Sequence, residues 1–139
     1  SFNKSGTKMF VVGNTDHDVH EYTLGVGFDV STASFVDSFS VSSQETIPLG
    51  MAFSKFGTKM FIVGNAGDDV NEYTLGTAWD VSTASFVDSF SVTNQEVSPN
   101  SIWFDGSGKT MFILGNAGDD VNVYKLGTAW DVSTASHVP

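Results

Sequence analysis

An all-β fold of repeated four-stranded antiparallel sheets is what this sequence predicts, on three observations. The first is a period of 51 residues: Phe2, Phe53 and Phe104 are one period apart, as are Met9, Met60 and Met111, and Tyr22, Tyr73 and Tyr124. The second is that each period divides into four short apolar or alternating runs, separated by Gly, Asn, Asp and Ser. The third is that no segment keeps a spacing of 3.6 for three turns, so helices are not expected. A fixed period of this size marks a solenoid, a propeller or an array. Four antiparallel strands per period select a β-propeller, because β-helix rungs are shorter and parallel.

The units run from Phe2 to Ala52, from Phe53 to Trp103, and, incomplete, from Phe104 to Pro139. All three belong to one domain, residues 1–139, read as about half of a ring. The runs "KMFVVGN", "KMFIVGN" and "TMFILGN" are rich in Val, Ile and Phe and stop at Gly-Asn, the pattern of a strand buried on both faces. In "DVNEYTLG", Tyr73 and Leu75 share one face, and Val70 with Thr74 the other. In "SFVDSFSV", alternation places Phe86, Phe90 and Val92 on one side and Val87, Ser89 and Ser91 opposite. "IPLGMAFS" sets Ile47, Leu49, Met51 and Phe53 against the small Pro48, Gly50, Ala52 and Ser54, which suits a crowded inner strand. The linkers "SKFG", "GNAGDD", "GTAWDVSTA" and "SSQE" carry turn chemistry. Residues 28–41 and 79–92 differ in one letter, so the copies are recent or engineered and their shared letters need not each be functional.

"GMAFSKFGTKMFIVGN" followed by "DDVNEYTLG" resembles the blade of the YVTN and NHL-like propellers, in which an inner strand ending in A-F-S precedes a glycine turn and a strand beginning T-K. The chain is also similar to amplified propeller repeats that carry "AWDVSTAS"-type loops. The resemblance covers the whole chain and implies architecture. It departs from WD40 repeats, because no Gly-His dipeptide precedes the blade and Trp79-Asp80 falls in a loop after the third strand.

Composition removes several function classes. Six Lys, no Arg and sixteen Asp plus Glu give a net charge of −10. That charge repels a phosphate backbone and an anionic membrane surface, so neither nucleic acid nor membrane is an expected partner. The absence of Cys excludes disulfides, and a chain of this length can bury a core without them. The opening "SFNKSG" has neither a basic nor an apolar leader region, so no signal peptide is expected within it. The compartment is left open.

Four groups of residues are candidate sites. Asp68 with Asp69, and Asp119 with Asp120, put paired carboxylates in the "NAGDD" loops, where they serve either a hairpin turn or a hard cation such as Ca²⁺. His17 and His20 in "DHDVHE" have a metal-binding composition, but alternation sends them to opposite faces. Trp79 and Trp130, with Phe28 as their counterpart, either stack on a sugar or pin their long loops between blades. Trp103 stands where Ala52 does and Asn100 where Leu49 does, on an inner strand facing the channel; Trp103 either lines a ligand site or fills space beside a blade lacking its inner strand.

No nucleophile elbow, zinc motif or phosphate loop is present, and the inner strands offer Pro, Gly, Met and Ala in place of catalytic His or Glu. The expected function is that of a non-catalytic binding or scaffold module, with a glycan or a protein as ligand and no cofactor. The alternatives are a metal-dependent or channel-site propeller enzyme and a structural or engineered fragment. Three blades leave two apolar faces bare. The expected partner is therefore a second copy, joined head to tail as a homodimer closing a six-bladed ring.

Overall fold

The computed structural model describes residues 1–139. Its eleven strands group into three antiparallel sheets, each a blade. Blade 1 contains β1 (Lys8–Val12), β2 (Asp18–Leu24) and β3 (Ala33–Ser40). Blade 2 contains β4 (Pro48–Phe53), β5 (Lys59–Gly64), β6 (Asp69–Leu75) and β7 (Ala84–Ser91). Blade 3 contains β8 (Pro99–Phe104), β9 (Thr110–Gly115), β10 (Val121–Leu126) and β11 (Ala135–Val138). Each blade is a meander whose strands pair with their chain neighbours. In blade 1, Phe2 forms a single antiparallel bridge with Met9. The unit boundaries at 52/53 and 103/104 cut through β4 and β8.

The core lies between the sheets, as expected where both faces of a sheet are covered. Met60, Ile62, Tyr73 and Leu75 point from blade 2 toward Phe10 and Val19 of blade 1. Phe61, Val63 and Val70 point the other way, toward Ile102, Phe104 and Met111 of blade 3. Aromatic contacts repeat at both seams: Phe10–Phe53 and Phe61–Phe104 have ring centroids 4.5 Å apart. Phe39 meets Tyr73 edge-on at 5.7 Å, and Phe90 meets Tyr124 edge-on at 5.6 Å. Tyr73 and Tyr124 donate their hydroxyls to Gln44 (3.1 Å) and Gln95 (3.2 Å) of the preceding turn. No α-helix forms; each third-to-fourth-strand loop holds one 3-10 turn, at Val30–Thr32, Val81–Thr83 and Val132–Thr134. No helix is long and apolar enough to cross a membrane.

Two details correct the alternation expected from the sequence. On β7, Phe86 pairs with Tyr73 and Asp88 with Glu72, so Val87 is an extra residue and the register shifts there. This bulge puts Phe86 on the Tyr73 side, facing blade 1, and leaves Phe90 on the side of blade 3. The single face expected to hold both rings does not exist. On β4 the register shifts between Pro48 and Gly50, so Leu49 is likewise unpaired and does not continue the row of Met51 and Phe53. Opposite it, Gly50 lies so close to β8 that a Cβ there would come within 2.7 Å of the Asn100 carbonyl oxygen.

Candidate functional site

The repeated loop after the third strand is built the same way three times. Asp80 caps the 3-10 turn, accepting from the backbone N–H (3.1 Å) and the hydroxyl (2.6 Å) of Ser82. The Thr83 hydroxyl donates to the Asp80 carbonyl at 2.7 Å. The aromatic residue before the Asp takes a left-handed backbone, with φ 61° at Phe28, Trp79 and Trp130. A bulky residue in that region is strained by about 1–3 kcal/mol; at Trp79 and Trp130 ring packing offsets the strain, while the Phe28 ring is largely exposed. Trp79 lies over Gly57 and against Phe53 (5.3 Å) and Phe10 (6.1 Å). Trp130 lies over Gly108 and against Phe104 (5.1 Å) and Phe61 (6.3 Å). Gly57 and Gly108 have φ of 72° and 71°, and a Cβ at either would strike the indole at 2.2 Å; glycine is required on both counts.

A buried ion pair in one blade grips the loop of the next. Lys8 pairs with Glu21, and the Lys8 ammonium also donates to the Trp79 carbonyl at 2.8 Å. The Glu21 carboxylate accepts from the Val81 N–H at 3.0 Å. Blade 2 repeats the clamp on blade 3: Lys59 pairs with Glu72 (3.0 Å) and donates to the Trp130 carbonyl (2.8 Å), while Glu72 accepts from the Val132 N–H (3.0 Å). Both carboxylates are buried. In blade 3 the corresponding residues are Thr110 and Val123.

A second buried carboxylate organises the "NAGDD" loop. Glu96 accepts from the N–H groups of Ser98 (2.7 Å), Ala117 (3.1 Å) and Gly118 (3.1 Å). Burial pushes its carboxyl up, but the backbone donors outweigh that and hold it below the usual range. Glu45 does the same for Ile47, Ala66 and Gly67. Within these loops Asp69 accepts from the Asn71 amide (2.9 Å) and Asp120 from Asn122 (3.0 Å). Asp68 and Asp119 hold left-handed turn positions, φ 51° and 54°. No group of three or more His, Cys, Asp or Glu comes together to hold a metal. His20 bonds Asp16 at 2.7 Å, while its neighbour His17 occupies the turn position of Asp68.

Trp103 is exposed and tilts against Phe112 at 5.3 Å, on the side of blade 3 turned away from blade 2. Asn100 is the bulge residue of β8, its amide donating to Asn116 at 2.8 Å. The inner strands surround a cleft of about 510 Å³, which includes Phe2, Phe53, Trp79, Trp103, Lys4 and Lys55. Lysines are the only charged side chains lining it, and no Asp, Glu or His is present. Of the residues proposed from sequence, Trp79 and Trp103 thus meet in one cleft, whereas Trp130, Asn100 and the four loop carboxylates lie elsewhere.

No protein-family model matches the chain, and no curated protein does. Solved structures do. A provisional 6-phosphogluconolactonase of Bacteroides uniformis superposes with a TM-score of 0.71 at 11% identity, covering 99% of this chain and 38% of that one. The periplasmic gluconolactonase PpgL of Pseudomonas aeruginosa gives 0.66 at 13%, covering 100% and 37%. The β-propeller domain of Cps50 (Swd1) from Myceliophteria thermophila gives 0.64 at 12%, covering 91% and 37%. The fold is that of a partial β-propeller. At such identities the likeness extends to fold alone, and the chain spans well under half the length of these structures.

Sequence reasoning missed the two clamps and the buried Glu45 and Glu96. A signal was there: Lys and Glu recur thirteen residues apart at 8/21 and 59/72 and vanish together in the third unit.

Proposed function

We propose that this chain is a non-catalytic propeller module that binds an acidic glycan in the cleft at its inner strands. The observation that carries this reading is the cleft's make-up: aromatic rings flanked by Lys4 and Lys55, with no carboxylate, in a chain of net charge −10. Aromatic faces stack on the apolar face of a sugar ring, and the lysines are placed to meet its carboxylate or sulfate. The rest of the surface repels other anions, which favours binding at this one place. Catalysis is not supported, since the cleft offers no general base: its hydroxyls, from Ser1 and Ser54, have no His, Asp or Glu beside them.

A glycan microarray of neutral, uronic-acid and sulfated oligosaccharides, followed by calorimetry, tests the proposal. Binding confined to acidic glycans, and lost in Lys4→Gln/Lys55→Gln, is expected; both lysines are exposed and their replacement leaves the fold intact. No binding to any acidic glycan, or binding unaffected by the double variant, overturns it. Hydrolysis of a gluconolactone faster than the buffer rate would overturn the non-catalytic part.

A further inference from the structure

The turn that leads into β1, β5 and β9 has one design in all three blades. Its first residue accepts a backbone N–H of the coming strand: the Asn3 amide oxygen from Lys8 (3.0 Å), the Ser54 hydroxyl from Lys59 (3.0 Å) and the Asp105 carboxylate from Thr110 (3.2 Å). Gly6, Gly57 and Gly108 close the turn by donating back to the carbonyls of Asn3, Ser54 and Asp105. Between these two points the tip holds Lys4-Ser5 in blade 1, Lys55-Phe56 in blade 2 and Gly106-Ser107 in blade 3. Serine suffices twice, so the turn itself does not require the phenylalanine. Nor does the core, since Phe56 belongs to neither apolar cluster and is 71% exposed.

What does approach the ring is a cation. The Lys55 ammonium lies over Phe56, 5.4 Å from the ring centroid. The same Lys55 lines the cleft, and Phe56 stands just beyond that lining, at the lip. From Met51 to Met60 the chain carries two lysines and no Asp or Glu. Lys59 is held by Glu72, so Lys55 is the cation of this segment left to meet a ligand. Blade 2 has all four strands and packs against a blade on either side, so the turn stands in complete surroundings.

We propose that Phe56 is a second stacking surface of the glycan site, which makes the ligand an acidic oligosaccharide and not a single acidic sugar. One unit lies among the rings of the cleft with its acidic group at Lys55, and the next unit lies on Phe56. This rests on the cleft being the glycan site. The C–H bonds of a sugar face are weakly positive and meet the negative face of an aromatic ring. The ammonium covers one face of Phe56, and the exposure of the ring leaves the other for the sugar. The turn is closed by its own hydrogen bonds and backed by the Trp79 indole on Gly57, so the ring is presented on a rigid support and little ordering is needed on binding.

Calorimetry with size-defined saccharides tests this, using galacturonic acid against its trimer for a carboxylate ligand, and N-acetylgalactosamine 4-sulfate against a chondroitin 4-sulfate tetrasaccharide for a sulfate ligand. In the pair whose acidic group the cleft accepts, the wild type is expected to bind the oligosaccharide about tenfold more tightly than the monosaccharide, the size of one aromatic stack. Phe56→Ser, which writes the residue of the other two blades into the turn and is expected to melt like the wild type, loses that factor and leaves the monosaccharide affinity unchanged. Phe56→Tyr keeps it, and Phe56→Leu, apolar but without a flat face, loses it. Equal affinities for both lengths in the wild type, or oligosaccharide binding unchanged in Phe56→Ser, overturn the second surface while leaving the cleft as a glycan site. Full oligosaccharide affinity in Phe56→Leu overturns stacking. Binding of neither length in either pair overturns both this inference and the glycan site beneath it.

Discussion

Removing Glu72 tests whether the buried ion pair holds neighbouring blades together. Glu72→Ala takes away the carboxylate that accepts from Lys59 and from the Val132 N–H, both at 3.0 Å. An unsatisfied buried N–H costs about 1–3 kcal/mol, and breaking a buried charge pair about 3–5 kcal/mol. The Lys59 side chain retains 27% exposure, so its ammonium regains some water and the total falls near the lower end, about 3 kcal/mol. For a chain of this length, that lowers Tm by about 10 °C. Lys59→Met strands the buried Glu72 carboxylate instead and is expected to cost a similar amount. The double variant Lys59→Met/Glu72→Ala leaves no buried charge and is expected to cost less than the two single changes added, by at least about 1.5 kcal/mol. The assay is thermal and urea unfolding of all four proteins at one concentration and in one buffer. A drop below about 2 °C for Glu72→Ala, or single effects that simply add, would falsify the clamp.

Trp130→Ala is expected to cost about 3–5 kcal/mol and Trp130→Phe less than about 1.5 kcal/mol in urea unfolding, because phenylalanine keeps the apolar ring between Phe61 and Phe104; equal, small effects mean the indole does not pack there. Glu96 has its carboxyl held below the usual range in the folded chain, so its stabilisation is complete above the ordinary carboxyl range and is lost as pH falls through the depressed folded value. Melting curves from pH 7 to pH 3 are expected to be steeper for wild type than for Glu96→Gln, and identical slopes refute this.

What the sequence determined alone are the properties carried by short stretches of chain. Strand positions follow from local runs such as "KMFIVGN", turns from Gly and Asp at fixed offsets, and the blade from the 51-residue period, none of which requires knowing what lies across a seam. Tertiary structure decided everything that depends on a partner distant in sequence. Val87 bulges because Phe86 must reach Tyr73 while Phe90 turns to Tyr124, and a period-two pattern holds no record of that division. Glu45 and Glu96 read as turn residues in polar linkers, yet the amides of a loop 21 residues away close around them and exclude water. Glu21 and Val81 are 60 residues apart, and only stacking one blade on the next brings the carboxylate to the loop N–H. The cleft likewise needs β4, β8 and the segment at Phe2 side by side before Lys4, Lys55 and Trp103 share one surface. Hydrophobic patterning is a local signal because burial on a strand alternates with its geometry; hydrogen-bond partnership is not, because a polar side chain's partner is chosen by the fold.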